Sequence, residues 1–280
     1  MTTVPYKGTP IFNEDGTFRK EDDVVQGRSY SSNLTKLLKQ LPKLQNLQEG
    51  KKASPVMAHI SLTNACNLTC SFCCFANRDI SEKMPTEKVY QALESFKAIG
   101  VTGVEFTGGG EPSIHPHFKE IVQYAKDLGF SLGICTNGAR FGADRPIKKD
   151  IVELFDWVRL GMYGFYEGYD YDLSVFEGTN CKPSAAYVWD ENLETSKNPN
   201  ITGEWSDVKN KRVLSKKFQT TENFIRMLDW VEENQIPCRI AFNAIKDVKE
   251  TEKDIETIRG IIEAYEKDRG RKLKSAFLSD

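Results

Sequence analysis

From residue 56 onward, short runs of β-forming residues alternate with segments whose apolar residues recur at helical spacing, and no other feature limits the fold as strongly. The strand-like runs are VMAHISL (56–62), VTGVEFT (101–107), FSLGICT (130–136), DWVRLGM (156–162), PCRIAFN (237–243) and LKSAFLS (273–279). Between them, Val89, Leu93 and Phe96 form one apolar stripe, and Phe118, Ile121, Val122, Ala125 and Leu128 another. Phe224, Leu228 and Val231 make a third, and Ile255, Ile258, Ile262 and Tyr265 a fourth. Each stripe is the face an amphipathic helix buries in a core. Pro85-Thr86-Glu87 opens the first helix, and Gly100 and Gly129 stand where helix C-caps belong. Without tight hairpins, successive strands pair in parallel through crossovers, so the fold class is α/β, with six strands and five crossovers expected.

The strands carry polar residues at alternate positions: His59 and Ser61, Glu105 and Thr107, Arg159, then Arg239 and Asn243. A parallel sheet buried on both faces reads as nearly continuous Val, Ile and Leu. Polar alternation instead suggests strands curved around a wet interior, as in an open barrel. A sheet with one face simply exposed to solvent shares the pattern.

Two stretches stand apart. Residues 1–55 read as an arm with one amphipathic helix candidate, SNLTKLLKQLPKLQNL, interrupted by Pro42. Residues 163–218 read as a long irregular insertion after strand 4, far beyond the usual connection length. Its aromatic beginning, with Tyr163, Phe165, Tyr166 and Tyr169, is a candidate lid over a substrate.

Composition narrows the function. There are 38 basic and 40 acidic residues, so no charge bias points to nucleic acid or an anionic membrane. No apolar run reaches the roughly 18 residues of a membrane span, and the start lacks the basic and apolar regions of a secretory signal. Seven cysteines, mostly in one cluster, do not read as a disulfide framework, and a reducing, cytoplasmic setting is expected.

That cluster is TNACNLTCSFCCFANRD, residues 63–79. Three thiols spaced as Cys66, Cys70 and Cys73 on a loop after strand 1 suit a soft metal or an iron–sulfur cluster. Structural zinc takes four protein ligands, which Cys74 or His59 would have to complete. Three ligands on a cluster of four irons leave one coordination position open, as catalytic metal sites do.

CNLTCSFC resembles the CxxxCxΦC signature of the radical S-adenosylmethionine (radical SAM) enzymes, with Phe72 as the aromatic. TGGGEP (107–112) looks like the GGEP motif of that family, and CTNG (135–138) is similar to its T-N-G segment. The similarity runs from about residue 56 to 280. It implies a partial (β/α)6 barrel, a [4Fe–4S] cluster on Cys66, Cys70 and Cys73, and S-adenosylmethionine chelating the fourth iron. It further implies a 5′-deoxyadenosyl radical that abstracts hydrogen from a substrate. The cofactor contacts it suggests are Phe72, Gly108, Gly109, Gly110, Glu111, Thr136, Asn137, Arg159 and Asn243. The favoured substrate is a peptide or protein side chain; a small metabolite, sugar or nucleoside is the alternative, and a non-catalytic iron–sulfur scaffold or partner subunit is the reading from another class. An electron donor such as flavodoxin or ferredoxin is implied; nucleic acid and membrane are not.

The pattern departs from the family in places. VRLGMYG puts Gly161 and Tyr163 where many relatives have Ser and Asp. Arg159 remains, to meet either the cofactor carboxylate or Glu105 across the interior. Cys74 is expected to pack as a small apolar side chain. The last strand carries no sixth helix, so a missing C-terminal region, of the auxiliary-cluster kind that GGEP-containing relatives often have, or a partner chain is expected to cover it.

Overall fold

The computed structural model describes residues 40–70, 73–75, 78–141, 146–162, 171–189, 212–213, 221–242 and 248–278. Two compact units divide the chain, Met1–Ser54 and Pro55–Asp280. In the first, helix α1 spans Leu41–Gln48. Pro42 stands in its first turn, where the missing N–H has no intrahelical partner to lose. The earlier part of the predicted helix lies outside the described residues.

The second unit is built on one parallel sheet. Its strands are β1 (Met57–Ile60), β3 (Gly103–Phe106), β4 (Ser131–Thr136), β5 (Trp157–Gly161), β6 (Lys182–Trp189), β8 (Cys238–Phe242) and β9 (Ala276–Leu278), and they neighbour one another in that order. Two short strands, β2 (Leu68–Thr69) and β7 (Arg212–Val213), pair separately. Among the described residues the helices are α2 (Thr86–Ala98), α3 (Phe118–Asp127), α4 (Lys149–Val152), α5 (Thr221–Glu233) and α6 (Val248–Arg269).

The order of strands in space follows their order in the chain, without the reversal of a doubly wound sheet. Right-handed crossovers that always step the same way place their helices on one face. The other face is then free to become an interior, the arrangement of a partial barrel.

Side-chain alternation matches this division. Val104 and Phe106, Leu132 and Ile134, Val158 and Leu160, Ala185 and Tyr187, and Cys238 and Ile240 share one core with the helices. Helix residues supplying that core include Val89 and Leu93 of α2, Phe118, Ile121, Val122 and Ala125 of α3, and Phe224, Leu228 and Val231 of α5. Full burial of each larger apolar side chain is worth about 1.5–3 kcal/mol. Gly100 and Gly129 adopt φ of 84° and 79°, ending α2 and α3 as their positions predict. Intervening strand residues look the other way, and Cys135, Arg159, Ala186, Arg239 and Ala241 line a cavity on that face.

The strand count needs correction: seven parallel strands form the main sheet, not six. The addition is β6, which lies inside 163–218, so that segment is not wholly irregular. KPSAAYVW does not read as a strand because its first half is Lys, Pro, Ser and Ala, a poor strand composition. Only Ala185, Tyr187 and Trp189 are buried, and the opposite face keeps small residues. Between β5 and β6 the described residues hold a 3-10 turn, Ser174–Phe176, rather than an α-helix.

Candidate active site

A cavity of about 410 Å³ opens at the C-terminal ends of the strands. That volume falls in the range of small-molecule sites, roughly 300–1,000 Å³. Cys66, Cys70 and Cys73 line it together with Gly108–Glu111, Thr136, Asn137 and Arg159. The sequence-predicted residues from three separate loops and one strand therefore meet at one place.

The cysteine loop is tied at its base. Met84 N donates to Leu62 O (2.9 Å) and Asn64 N to Glu82 O (2.9 Å), joining the outgoing and returning chain. Inside the loop, Arg78 acts as a bracket: its Nε donates to Asn64 O (2.6 Å) and its Nη1 to Phe75 O (2.6 Å). The same Nη1 lies 3.4 Å from Cys73 Sγ. Cys66 Sγ accepts from Leu68 N (3.5 Å) and Asn137 Nδ2 (3.7 Å). Donors aimed at sulfur stabilise thiolates.

The glycine loop has a different reason for each residue. Gly108 and Gly109 adopt φ of 76° and 42°, the left-handed region that side chains disfavour. Gly110 is required by close approach, because a Cβ there would collide with the Ala65 carbonyl. Its amide donates to Thr63 O (2.7 Å), and that of Glu111 donates to Ala65 O (2.8 Å). These two amides hold the cysteine loop and are not free for a ligand.

Glu111 is 2% exposed. Its Oε1 accepts from Ser113 N (3.1 Å), Ser113 Oγ (2.6 Å) and Thr136 Oγ1 (2.7 Å), and its Oε2 accepts from Asn137 N (2.7 Å). The carboxylate thus clamps the end of β4 to the glycine loop. Asn137 Nδ2 also donates to Asn67 Oδ1 (2.6 Å), closing the triangle with the cysteine loop.

Burial pushes the thiols of Cys66 and Cys70 up, and for Cys70 the neighbouring Cys66 and Cys73 push it further. A metal taking the proton's place removes that penalty. Among the described residues, no three His, Cys, Asp or Glu groups gather closely enough to hold one metal ion. His59 sits 3.8 Å from Glu105 and does not line the cavity, so it does not complete a zinc site. Three thiols lining one cavity without converging on a point fit a polynuclear cluster, in which each thiolate holds a different iron.

Several expectations change. Cys74 is exposed and lines the cavity mouth, rather than packing as an apolar side chain. Arg159 and Glu105 do not pair; Glu105 meets His59 and accepts from the Cys135 thiol (3.2 Å). Burial and the Glu105 charge push Cys135 up to about 12. Phe72, Asn243, and the lid candidates Tyr163, Phe165, Tyr166 and Tyr169 lie outside the described residues. Arg78 was overlooked, although it is the one basic residue between Cys66 and Asp79. Trp157 was also overlooked; it covers Gly133, where a Cβ would strike the indole, and its ring lies 5.4 Å from the Arg159 guanidinium.

The Radical SAM superfamily model matches residues 60–167, the stretch that carries the cysteine loop, the glycine loop and the Thr136-Asn137-Gly138 turn. Over that stretch the chain is similar to the radical SAM superfamily. It is 31% identical over 98 residues to an S-adenosylmethionine-dependent nucleotide dehydratase of Selenomonas ruminantium, covering 35% of this chain and 35% of that protein. It is 34% identical over 85 residues to the sporulation killing factor maturation protein SkfB of Bacillus subtilis, covering 30% of this chain and 20% of SkfB. The matches thus span about a third or less of these curated relatives. In fold, the chain resembles Streptococcus suis SuiB, crystallised with precursor peptide SuiA, at a TM-score of 0.53 and 18% identity, over 90% of this chain and 55% of SuiB. The family uses a [4Fe–4S] cluster and S-adenosylmethionine, and the thiols and glycine loop described above fit both groups. Among the described residues no helix is long and apolar enough to cross a membrane.

Proposed function

We propose that this chain is a radical SAM enzyme whose reaction takes place in the cavity at the ends of the strands. One observation carries the reading: Cys66, Cys70, Cys73, the glycine loop and the Thr136-Asn137 turn line the same 410 Å³ space. A bound cluster and S-adenosylmethionine would together supply one-electron reductive cleavage, giving methionine and a 5′-deoxyadenosyl radical able to take hydrogen from a substrate. Cys66, Cys70 and Cys73 would hold the cluster, with Arg78, Leu68 and Asn137 directing N–H groups at two of the sulfurs. The backbone of Gly108–Gly110 offers a surface without side chains for the cofactor's amino-acid end, and Glu111 and Asn137 keep that surface in place.

A peptide or protein side chain is the favoured substrate, supported by the peptide-maturation role in SkfB's name and the precursor peptide seen on SuiB. A low-potential donor such as flavodoxin or ferredoxin would supply the electron. All seven cysteines are free, which suits a reducing, cytoplasmic setting. We take residues 56–280 as the catalytic body and 1–55 as its arm.

The test is anaerobic reconstitution with iron and sulfide, followed by S-adenosylmethionine and dithionite. Wild type is expected to show the visible absorbance of a cluster and to form 5′-deoxyadenosine, and Cys70→Ala to do neither. A wild type that loads a cluster without binding S-adenosylmethionine would favour the scaffold reading instead.

A further inference from the structure

We propose that the wall made by β5, β6 and β8 is a seat for an oxyanion of the substrate, a carboxylate or a phosphate, held by Arg239 with Arg159 beside it. The inference rests on the reading that the cavity is the reaction site, and it adds the chemical class of what enters.

The placement comes from the strand register. Arg159 pairs with Ser184 across β5–β6, and Ala186 pairs with Arg239 across β6–β8. Ser184 and Ala186 are two residues apart, hence on one face of β6. Both arginines therefore stand on the cavity face, flanking β6, with Cα atoms about 12 Å apart from strand spacing and rise. Between them the wall is small: Gly161, Ala186 and Ala241 leave room for a ligand group where larger residues would fill it.

The chemistry comes from what is missing around them. Among the described residues neither arginine makes an ion pair or a side-chain hydrogen bond. Arg159 Nε is fully covered and has no hydrogen-bond partner, its one ring contact being Trp157. Buried polar groups are nearly always satisfied, so a cavity-lining guanidinium with an orphaned N–H has hydrogen-bonding capacity left for a ligand. The acids of the interior are already engaged, Glu105 with His59 and Cys135, and Glu111 with its four donors. A bound oxyanion would supply the counter-ion that both guanidinium groups lack among the described residues. The guanidinium fork matches carboxylate and phosphate geometry alike.

An oxyanion here has two possible sources, the substrate and the carboxylate of S-adenosylmethionine, and calorimetry separates them. The full chain, reconstituted anaerobically, is titrated with inorganic phosphate, succinate and S-adenosylmethionine, as wild type, Arg239→Ala and Arg239→Lys. Arg239 is exposed to the cavity, so its removal is expected to leave the thermal midpoint unchanged. Phosphate or succinate is expected to bind wild type and to weaken about tenfold or more in Arg239→Ala. Arg239→Lys should fall between, because the charge remains and the fork is lost. The stronger of the two anions then names the substrate group. S-adenosylmethionine affinity should stay within about twofold throughout. If it is instead S-adenosylmethionine that weakens, the arginine serves the cofactor and the proposal fails. Absence of anion binding, or equal binding by wild type and Arg239→Ala, overturns it as well. Arg239-dependent anion binding by a wild type that takes up neither cluster nor S-adenosylmethionine would sink the functional reading and leave the seat standing.

Discussion

The two sides of the cavity are built by opposite strategies. On the side of β1, β3 and β4, three loops are stitched together by backbone and buried side-chain hydrogen bonds, and Glu111 alone receives four of them. On the side of β5, β6 and β8, the wall is plain sheet, with small residues and two arginines that make no ion pair among the described residues. The first side is over-determined, because a site for a large rigid group must not shift. The second side is permissive: its ladder hydrogen bonds exist whatever side chains point inward. Changes should therefore break the fold on the first side and alter only the contents of the cavity on the second.

Gly110→Ala is the sharpest test of the first half of that contrast. The new methyl has no direction to move, since the atom it meets is the backbone carbonyl of Ala65. Overpacking of this kind costs about 3 kcal/mol, expected as a lower unfolding midpoint in denaturant even before any cluster is added. A midpoint equal to wild type would mean that the loops are not held in this contact. Glu111→Gln comes next. The amide keeps the shape but presents its NH2 to a ring of donors, leaving at least one unsatisfied, for about 2 kcal/mol. Because Asn137 N loses a partner too, cluster loading measured as iron and sulfide per chain should fall alongside stability. Loss of stability with loading intact would show that the clamp does not position the loop.

Ala186→Leu probes the other side. The added side chain enters open space between Arg159 and Arg239, so the midpoint should move by less than about 1 kcal/mol, while the phosphate and succinate titrations lose their signal. A large destabilisation here would erase the distinction between the two walls.

The same contrast explains how much the sequence discloses. Thiols spaced as cluster ligands, glycines at positive φ and a polar turn at a strand end are residue types that chemistry constrains, so Cys66, Cys70, Cys73, Gly108, Gly109 and Asn137 stand out in a single chain. Helix faces are legible for the same reason, since burying Phe118, Ile121, Val122 and Ala125 fixes their spacing. Strand β6 is not, because the cavity asks its inner face to be small and so removes the β-branched residues that mark a strand. The cradle role expected of the glycine loop was only partly readable too: spacing reveals that glycine is needed, but not that Gly110 is needed against Ala65. Arg78 is invisible by pattern, as its partners are backbone carbonyls whose positions exist only once the loop is folded.

Cys74→Ala should have the smallest effect, and its value lies in that. Cys74 lines the same cavity as the three predicted ligands, so proximity alone does not exclude it from the ligand set. What separates it is its surroundings. Cys66 and Cys73 each have an N–H directed at sulfur, and Cys70 is half-buried with both of them as neighbours. Cys74 is exposed where the other three are half-buried; its thiol is pushed up as those of Cys66 and Cys70 are, so exposure and not acidity sets it apart. Iron and sulfide per chain should therefore equal wild type in Cys74→Ala and collapse in Cys73→Ala. If the two variants lose metal equally, the cluster takes its third ligand from either of two adjacent thiols, and the stitched side of the cavity is less strictly determined than its hydrogen bonds imply.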